Sequence, residues 1–343
     1  MLIRTIREEE RDLYNQIVAH PLQAWEWGEF RKKTGVEVER LGFFQGEKLI
    51  KGLQATFHSI PIINKKVGYL PKGFTPDEDQ ISAIKQLAKK HNALFIKIEP
   101  NILQKAATSP RFTQLTQLLE ESGATRGRSL FTRYTFQLDL TKPEDELFEN
   151  LHKKTRYNVN LAHKKGVKIY ENSTQEGMEQ YIQILEETKS RQGFYAHTPD
   201  YFRKIWQSMG DSGMVRIFNA VYQDTIIVSW IMFLFNDVLY YPYGASRNLH
   251  RNVMASNLMM WEMIRFGKEE GCRIFDMWGS LGPEPDPNNP WFGFHRFKKG
   301  YGGELMEAIG TYDVVMNKPM YQLYSLGEKW RWKWLRLKTR LPF

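Results

Sequence analysis

Apolar and polar residues alternate along many short stretches of this 343-residue chain, which is typical of strands that bury one face. The predicted strands are residues 2–6, 36–44, 48–59, 67–73, 93–99, 131–140, 167–170, 214–222, 225–235, 237–243 and 272–277. Apolar residues at helical spacing predict helices between them. The predicted helices are residues 8–20, 23–33, 77–91, 113–123, 144–151, 153–166, 178–191, 199–210 and 256–271. Strands and helices mix without a long parallel repeat, so the pattern predicts an α/β (α+β) fold with mixed sheets.

The chain is long enough for two domains, each with its own core. Residues 141–144, Thr-Lys-Pro-Glu, have the spacing of a capping box and predict the start of a helix near a domain boundary at residue 148. The later order of strand, two helices, three strands, helix and strand resembles an acyltransferase domain of the GNAT type. We expect a first domain of residues 1–148 and a second of residues 149–312. No long heptad insertion follows Tyr201, so no coiled-coil arm is expected.

Composition narrows the possible partners only partly. The net charge of +9 indicates affinity for polyanions, which include nucleic acids, phosphorylated sugars and anionic membranes. The single cysteine, Cys272, excludes an internal disulfide and lies in an apolar run typical of a buried thiol. No metal-binding spacing of Cys and His is present.

The first residues contain no secretory h-region, and no apolar run reaches the ~20 residues of a membrane span. We therefore expect a cytoplasmic protein, with the inner face of the plasma membrane as a peripheral location.

Residues 271–303 form the most unusual stretch of the chain, GCRIFDMWGSLGPEPDPNNPWFGFHRFKKGYGG. A short apolar strand ends at Trp278-Gly279-Ser280, and a proline-rich loop covers residues 281–290. Aromatic, glycine and cationic residues then interleave over residues 291–300. A loop as long as 281–290 is usually functional or disordered, and the aromatic residues on both sides of it favour an ordered loop. The last glycines predict a close approach to another backbone or to a ligand. A β-hairpin with an ordinary surface loop is the alternative.

Four further blocks accompany FDMWGS and GFHRFKKGYGG in a fixed order. They are QAWEWGEFRKKTG at 23–35, KKTRYNVNLAHKKGVKI at 153–169, SRQGFYAHTPDYF at 190–202 and YYPYGASR at 240–247. Together these blocks resemble the FemABX family of non-ribosomal peptidyltransferases. The resemblance implies an aminoacyl-tRNA-dependent transferase that adds an amino acid to the stem peptide of a peptidoglycan precursor, without a cofactor. It also implies two GNAT-like domains, with a C-terminal segment, residues 313–343, that returns to the first. The acceptor, lipid-linked or UDP-linked, stays open.

The same resemblance assigns catalytic roles near the end of the unusual stretch. Phe297 and Lys298 match a pair at the tRNA-end channel, where Lys298 would stabilise the oxyanion or the departing ribose oxygen. An exposed loop cation is the alternative for Lys298. No carboxylate identifies itself as the general base. Asp276 is a candidate for that role, or equally a structural acceptor for loop N–H groups.

Six residues are the predicted acceptor-binding set: Arg31, Lys32, Arg191, Tyr195, Tyr241 and Tyr243. The resemblance implies that Arg191 reaches a phosphate of the precursor and that Tyr195 assists it. Either Arg31 or Lys32 would supply a second phosphate contact. Strand alternation predicts Tyr241 and Tyr243 on one face, and the family places a substrate-contacting tyrosine here. Helix capping, surface pairing and core packing are the structural alternatives.

A basic helix follows the predicted domain boundary. Its cations are Lys153, Lys154, Arg156, His163, Lys164 and Lys165. Such clusters bind phosphate backbones in a salt-dependent way, so the helix is a candidate surface for the acceptor arm of tRNA or for a nucleotide-sugar diphosphate. A solvated helix face is the alternative.

The C-terminal residues 329–343, KWRWKWLRLKTRLPF, place Trp330, Trp334, Leu337 and Leu341 in one helical stripe among cations. This pattern is typical of a helix that lies on an anionic membrane, although the stripe would also suit packing on the first domain.

Two other functions share parts of the pattern. An acyl-CoA-dependent GNAT-type N-acyltransferase needs small residues in the loop that binds pyrophosphate. His250 and Asn252 occupy that place here and count against it. A non-catalytic protein that binds tRNA or membrane is the third hypothesis.

Overall fold

The computed structural model describes residues 1–61, 63–105, 110–192 and 197–338, without the side chains of residues 110, 111, 191, 192, 329 and 331–338. The strands are β1 Leu2–Thr5, β2 Glu37–Gln45, β3 Lys48–Ser59, β4 Lys66–Pro71, β5 Ala93–Glu99, β6 Leu103–Gln104, β7 Ala124–Arg126, β8 Tyr134–Asp139, β9 Lys168–Glu171, β10 Val215–Tyr222, β11 Thr225–Phe235, β12 Val238–Ser246, β13 Ile274–Ser280, β14 Glu304–Ala308 and β15 Tyr312–Val315. The α-helices are α1 Arg11–Ile17, α2 Trp25–Lys33, α3 Glu78–Lys90, α4 Pro110–Glu121, α5 Glu144–Glu149, α6 Lys153–Lys164, α7 Gln175–Gln192, α8 Pro199–Met209, α9 Ala255–Glu269, α10 Phe292–Lys299 and α11 Lys318–Lys338.

The strands form two mixed sheets of seven and eight strands, which confirms the predicted fold class. The first has the order β1-β2-β3-β4-β5-β15-β7 and the second the order β6-β14-β8-β13-β12-β11-β10-β9. Each sheet contains a run of three antiparallel strands followed by a helix and a parallel strand: β2-β3-β4, α3 and β5 in the first, β10-β11-β12, α9 and β13 in the second. This repeated topology is the structural basis of the two GNAT-like units.

Strands from distant parts of the chain cross between the halves. β15 lies between β5 and β7 in the first sheet, whereas β6 and β8 lie in the second. The rings of Tyr321 and Tyr324 on α11 contact Phe95 of β5. The division at residues 148 and 312 stays a prediction, since the strands on either side of these positions are shared between the sheets.

The second sheet buries both of its faces. On one face, called the α6/α9 face, Met232 and Leu239 pack with residues of those two helices. On the other, called the α7/α8 face, Ile231 and Phe233 pack with α7, α8 and the Trp25–Phe30 part of α2. The N-terminal helices therefore join the first sheet to the second, and a cleft forms at this junction.

One helix was missed and one helix cap was predicted wrongly. Residues 292–299, for which no element was predicted, form helix α10, with His295 and Lys298 buried on one side of it. Thr141 does not cap α5, since its hydroxyl donates to the Asp139 carboxylate and Pro143 occupies the cap position.

Two other predictions agree with the structure. The chain turns directly from α8 into β10, without a coiled-coil arm. Gly303 lies close to another backbone, because a Cβ there would meet the Gln137 carbonyl oxygen at 3.1 Å. Within the described residues, none of the helices combines the length and apolarity that a membrane span requires.

Candidate active site

The second sheet opens where its parallel strands separate. Val238–Tyr240 of β12 pair with Ile274–Asp276 of β13, and the two strands then part. Beyond this point β12 stays paired with β11, whereas Gly279 and Ser280 pair with β8. Open α/β sheets bind ligands at the carboxyl ends of parallel strands, where neighbouring strands diverge. We call this opening the β12/β13 split.

Lys298 reaches the split from the last turn of α10. Its side chain is only 6% exposed, and its Nζ donates to the Gly279 carbonyl at 2.7 Å. The ammonium lies 5.7 Å from the centre of the Tyr241 ring. Burial lowers the pKa of Lys298 to about 8, and the Asp276 charge opposes this shift. Lys298 is therefore a buried cation rather than an exposed one.

Phe297 lies beside Lys298 and packs on the α6/α9 face. Its ring makes edge-to-face contacts with Tyr301 at 5.3 Å and Trp230 at 6.5 Å. The pair Phe297-Lys298 thus lines the split from that face.

Asp276 holds the backbone next to Lys298. Its Oδ1 accepts from the Thr135 hydroxyl at 2.6 Å and from the Trp278 N–H at 2.7 Å, and its Oδ2 accepts from Gln137 at 2.9 Å. These bonds fix the bulge between Asp276 and Gly279 that directs the carbonyl of Gly279 to Lys298. The arrangement matches the structural role that the sequence offered as an alternative to a general base.

Tyr241 and Tyr243 lie on opposite faces, so the prediction of a shared face was wrong. A bulge in β12 pairs Tyr240 with Phe233 and Tyr243 with Ile231, which inserts one extra residue and reverses the alternation. Tyr241 stacks on Trp230 within the α6/α9 face, with ring centres 4.0 Å apart. Tyr243 packs on the α7/α8 face, where its hydroxyl is 3.2 Å from that of Tyr201.

Arg31 reaches a group of aromatic residues at the junction of the two sheets. We call this group the Arg31 cluster; its other members are His58, Tyr69, His197, Tyr201 and Tyr243. Burial lowers the pKa of both histidines, and the charge of Arg31 lowers it further. Burial raises the pKa of the three tyrosines, and the same charge opposes that rise. The charge of Arg31 thus acts on five uncharged rings, of which Tyr69 already donates its hydroxyl proton to Glu99 at 2.5 Å. The described residues provide no carboxylate within ion-pair distance of the Arg31 guanidinium.

Of the other predicted acceptor-binding residues, Lys32 is exposed, and the structure does not describe the side chains of Arg191 and Tyr195. Lys32 is exposed and pairs with Glu29 at 2.9 Å, as the surface alternative predicted, which favours Arg31 of the two. Tyr195 lies outside the described residues, and the side chain of Arg191, at the end of α7, is not described. The roles of these two residues stay predictions.

A cationic and aromatic surface lies beside the split on the α6/α9 side. Helix α6 exposes Lys153, Lys154, Lys164 and Lys165, whereas Arg156 is half-buried and donates to the Glu149 carbonyl. Tyr157 on the same helix is 65% exposed, and α10 exposes Trp291 and Phe294. The His152 N–H donates to the Gly300 carbonyl, which joins the start of α6 to the end of α10.

Sequence reasoning missed several residues that the fold brings into the cleft, notably His20, His58, Lys72 and Tyr69. Only the YLPKG stretch of residues 69–73, a strand entering a glycine turn, offered a local signal. The histidines gave none, because their neighbours in space are distant in sequence.

Among the described residues, no group of His, Cys, Asp and Glu is placed to hold a metal ion.

Known proteins resemble this chain along most of its length. The Lipid II:glycine glycyltransferase of Staphylococcus epidermidis is 26% identical over 396 aligned positions, which cover 93% of this chain and 94% of the relative. The alignment is longer than the 343 residues of this chain, so the relative carries segments that this chain lacks.

The solved structures show the fold. The crystal structure of FemX has a TM-score of 0.84 at 21% identity, covering 94% of this chain and 99% of FemX. A tandem GNAT protein from the clavulanic acid biosynthesis pathway has a TM-score of 0.51 at 10% identity, covering 81% of this chain and 82% of that one. The model of the FemAB family matches residues 6–224 and 214–329. The chain therefore belongs to the FemAB family.

Proposed function

We propose that this protein transfers an amino acid from an aminoacyl-tRNA to an amine on the stem peptide of a lipid-linked peptidoglycan precursor. The observation that carries the proposal is the buried Lys298 ammonium at the β12/β13 split. The cationic and aromatic surface lies on the α6/α9 side of the sheet, and the Arg31 cluster lies on the α7/α8 side. The name of the staphylococcal relative, Lipid II:glycine glycyltransferase, supports lipid II as the acceptor and glycine as the first amino acid to test.

The donor approaches from the α6/α9 side. Lys153 and Lys154 neutralise phosphates near the start of α6, and Tyr157 offers a face on which a base of a single-stranded end can stack. Trp291 and Phe294 extend this surface along α10 towards the split. Phe297 then shapes the passage to Lys298, as the family resemblance implies.

The acceptor approaches from the α7/α8 side. Arg31 binds a phosphate of the precursor, since a guanidinium with neutral donors around it suits an anion. Tyr201 and Tyr243, whose hydroxyls lie 3.2 Å apart, keep one hydroxyl proton for that phosphate, whereas the Tyr69 hydroxyl already donates to Glu99. The acceptor amine reaches the ester through the split, which connects the two faces of the sheet.

The chemistry needs little beyond positioning and charge. The acceptor nitrogen attacks the ester carbonyl carbon and forms the C–N bond, which gives a tetrahedral oxyanion. The Lys298 ammonium stabilises that oxyanion in a site with little water. The C–O bond to the ribose then breaks, and the proton lost by the nitrogen balances the one gained by the departing oxygen. The products are an amide and a free ribose hydroxyl.

The C-terminal helix α11 binds the membrane that holds the lipid-linked acceptor. Helix α11 exposes Leu323, Leu326 and Trp330 at a spacing of three and four residues. The sequence continues this spacing with Trp334 and Leu337 among cations. Exposed apolar residues with basic neighbours favour an anionic membrane surface.

The proposal is tested by a transfer assay with labelled glycyl-tRNA and two acceptors, lipid II and the UDP-linked muramyl peptide. We expect label on the stem peptide of lipid II in a hydroxylamine-stable amide. A parallel reaction contains labelled acetyl-CoA. Transfer from acetyl-CoA with none from tRNA would overturn the proposal and favour an N-acyltransferase, and binding of tRNA without transfer to either acceptor would overturn it in favour of a non-catalytic protein.

A further inference from the structure

A cavity lies between the two sheets, next to the split but on the α7/α8 side. The first sheet and its neighbours contribute His20, Lys72 and Asn101, and the second contributes Asp276, Trp278 and Gly279. Gly279 belongs to both sites, since its carbonyl accepts from Lys298. The cavity and the ammonium of Lys298 are thus on either side of the same peptide segment.

Lys72 is a cation on the wall of this cavity, and no carboxylate of the described residues forms an ion pair with it. Within the described residues it has no ion pair closer than 4.0 Å, and its Nζ lies 5.6 Å from the centre of the Phe131 ring. Burial lowers the pKa of Lys72, which the more distant charges of Asp276 and Glu99 oppose.

The two carboxylates whose charges act on Lys72 are already occupied by other donors. Asp276 accepts the three hydrogen bonds described above. Glu99 accepts from the Tyr69 hydroxyl at 2.5 Å, the Thr311 hydroxyl at 2.6 Å and the Leu130 N–H at 2.9 Å. Lys72 is therefore left to pair with an anion that enters the cavity.

Neutral donors lie on the same cavity. The Nδ1 of His20 accepts from the Leu22 N–H at 3.2 Å, which leaves the ring proton on Nε2. Burial, together with the charge of Lys72, keeps the pKa of His20 well below its usual value, so the ring is uncharged. Asn101 adds an amide, and Phe131 and Trp278 provide apolar walls.

The backbone at this cavity is held in a costly conformation. Lys72 and Trp278 have φ angles of 52° and 60°, in the left-handed region that favours glycine. Non-glycine residues in this region concentrate at functional sites, where surrounding contacts hold them. The Asp276 carboxylate holds Trp278, and the Lys72 N–H donates to the Glu99 carbonyl at 2.7 Å.

From these contacts we infer that the cavity binds a carboxylate group of the acceptor stem peptide, with Lys72 as its ion-pair partner. The inference rests on the proposed function and adds a residue that positions the acceptor. Arg133 also lines the cavity but is paired with Glu307 at 2.7 Å, so Lys72 is the lining cation without an ion pair among the described residues. One such ammonium with two neutral donors matches a singly charged carboxylate, whereas a phosphate calls for more positive charge. Tyr69, which belongs to the Arg31 cluster, bonds to Glu99 beside Lys72, so the cavity lies between that cluster and the split.

The test compares the wild type with Lys72→Met, Lys72→Arg and Lys72→Gly in steady-state transfer to a short-chain lipid II analogue. Loss of a charge-assisted hydrogen bond should raise the acceptor KM roughly tenfold to hundredfold in Lys72→Met, with little change in kcat. Lys72→Arg should restore part of the affinity. Lys72→Gly removes the charge at a φ that glycine tolerates, so it tests the same point if the methionine variant does not fold. Lys89→Met, which removes an exposed cation of α3, is the control.

Acceptor analogues identify the anion. Each stem-peptide carboxylate is replaced in turn by a carboxamide, and one replacement should weaken wild-type binding by the same factor without further weakening Lys72→Met. An unchanged KM in both Lys72→Met and Lys72→Gly would overturn the inference, as would equal effects of every carboxamide on wild type and variant. If the wild type transfers nothing from tRNA, the proposed function fails, and calorimetric binding of the same analogues to wild type and Lys72→Met still decides the inference.

Discussion

The ammonium of Lys298 lies against one backbone carbonyl and one aromatic ring, and the charge of Asp276 also stabilises it. A lysine normally keeps its charge up to a pH near 10.5, but burial brings the pKa of Lys298 to about 8. The residue is thus still a cation near neutral pH, and it loses that charge within an accessible pH range. This makes its chemical role measurable.

The first prediction concerns the pH dependence of transfer. Because the charged form stabilises the oxyanion, the single-turnover rate relative to that of Lys298→Met should fall as the pH rises through about 8. The folded-state pKa is below that of the unfolded chain, so the unfolded state binds more protons between the two values, and the Lys298 contribution to the free energy of unfolding rises with pH there. Loss of rate above pH 8 therefore does not come from unfolding through this group.

This pH profile is measured with saturating substrates, and spontaneous ester hydrolysis is recorded in the same buffers without protein. Deprotonation of the acceptor amine raises the rate with pH in every variant, so the profile of Lys298→Met is the reference. Identical pH profiles for wild type and Lys298→Met would contradict the cationic role of Lys298.

At the scale of secondary structure, patterns in the sequence predicted the longer strands but missed the short strands β6, β7, β14 and β15, as well as one helix and one bulge. Residues 48–59 and 93–99 form strands as predicted, because alternation and β-branched or aromatic residues report burial directly. Helix α10 was missed because Gly293 and three phenylalanines disfavour a helix locally, while packing of His295 and Lys298 stabilises it. The bulge that separates Tyr241 from Tyr243 depends on how β12 pairs with β11, which one strand alone does not reveal.

Helix α6 allows a prediction about the donor surface. The variant Lys153→Gln/Lys154→Gln removes two exposed cations, so the slope of log K against log salt for tRNA binding should decrease by roughly one to two. Binding is measured by fluorescence anisotropy over a range of salt. The control is Lys48→Gln/Lys89→Gln, which removes two exposed cations from the first sheet and α3. Equal slopes for wild type and the α6 variant would exclude this surface as the tRNA contact.

At the scale of the whole molecule, the cleft arises from contacts that no local pattern reports. His20, Lys72 and Asp276 come from three distant parts of the chain and meet only because the N-terminal helices join the two sheets. The family resemblance could point to Lys298, Arg31 and Tyr243, since it carries long-range information. It gave no role to Lys72 or His20, and the local spacing of residues gives none either.

Helix α11 leads to a prediction about membrane binding. Leu323→Glu/Leu326→Glu should reduce binding to vesicles of phosphatidylglycerol and phosphatidylcholine by roughly tenfold or more, because two exposed leucines of α11 no longer enter the interface. Sedimentation with vesicles measures this, and Leu13→Glu on α1 is the matched control. If the variant keeps vesicle binding but loses affinity for tRNA, α11 contacts nucleic acid instead.

The central claim is that the buried cation at the β12/β13 split catalyses aminoacyl transfer, and Lys298→Met tests it most directly. The measurement is the single-turnover rate of glycine transfer from glycyl-tRNA to lipid II, with both substrates bound and Lys89→Met as the control. The account predicts a rate roughly a hundredfold to a thousandfold lower in Lys298→Met, with tRNA and acceptor affinities and the unfolding temperature near those of the wild type. A folded Lys298→Met protein that transfers glycine at the wild-type rate would contradict the account.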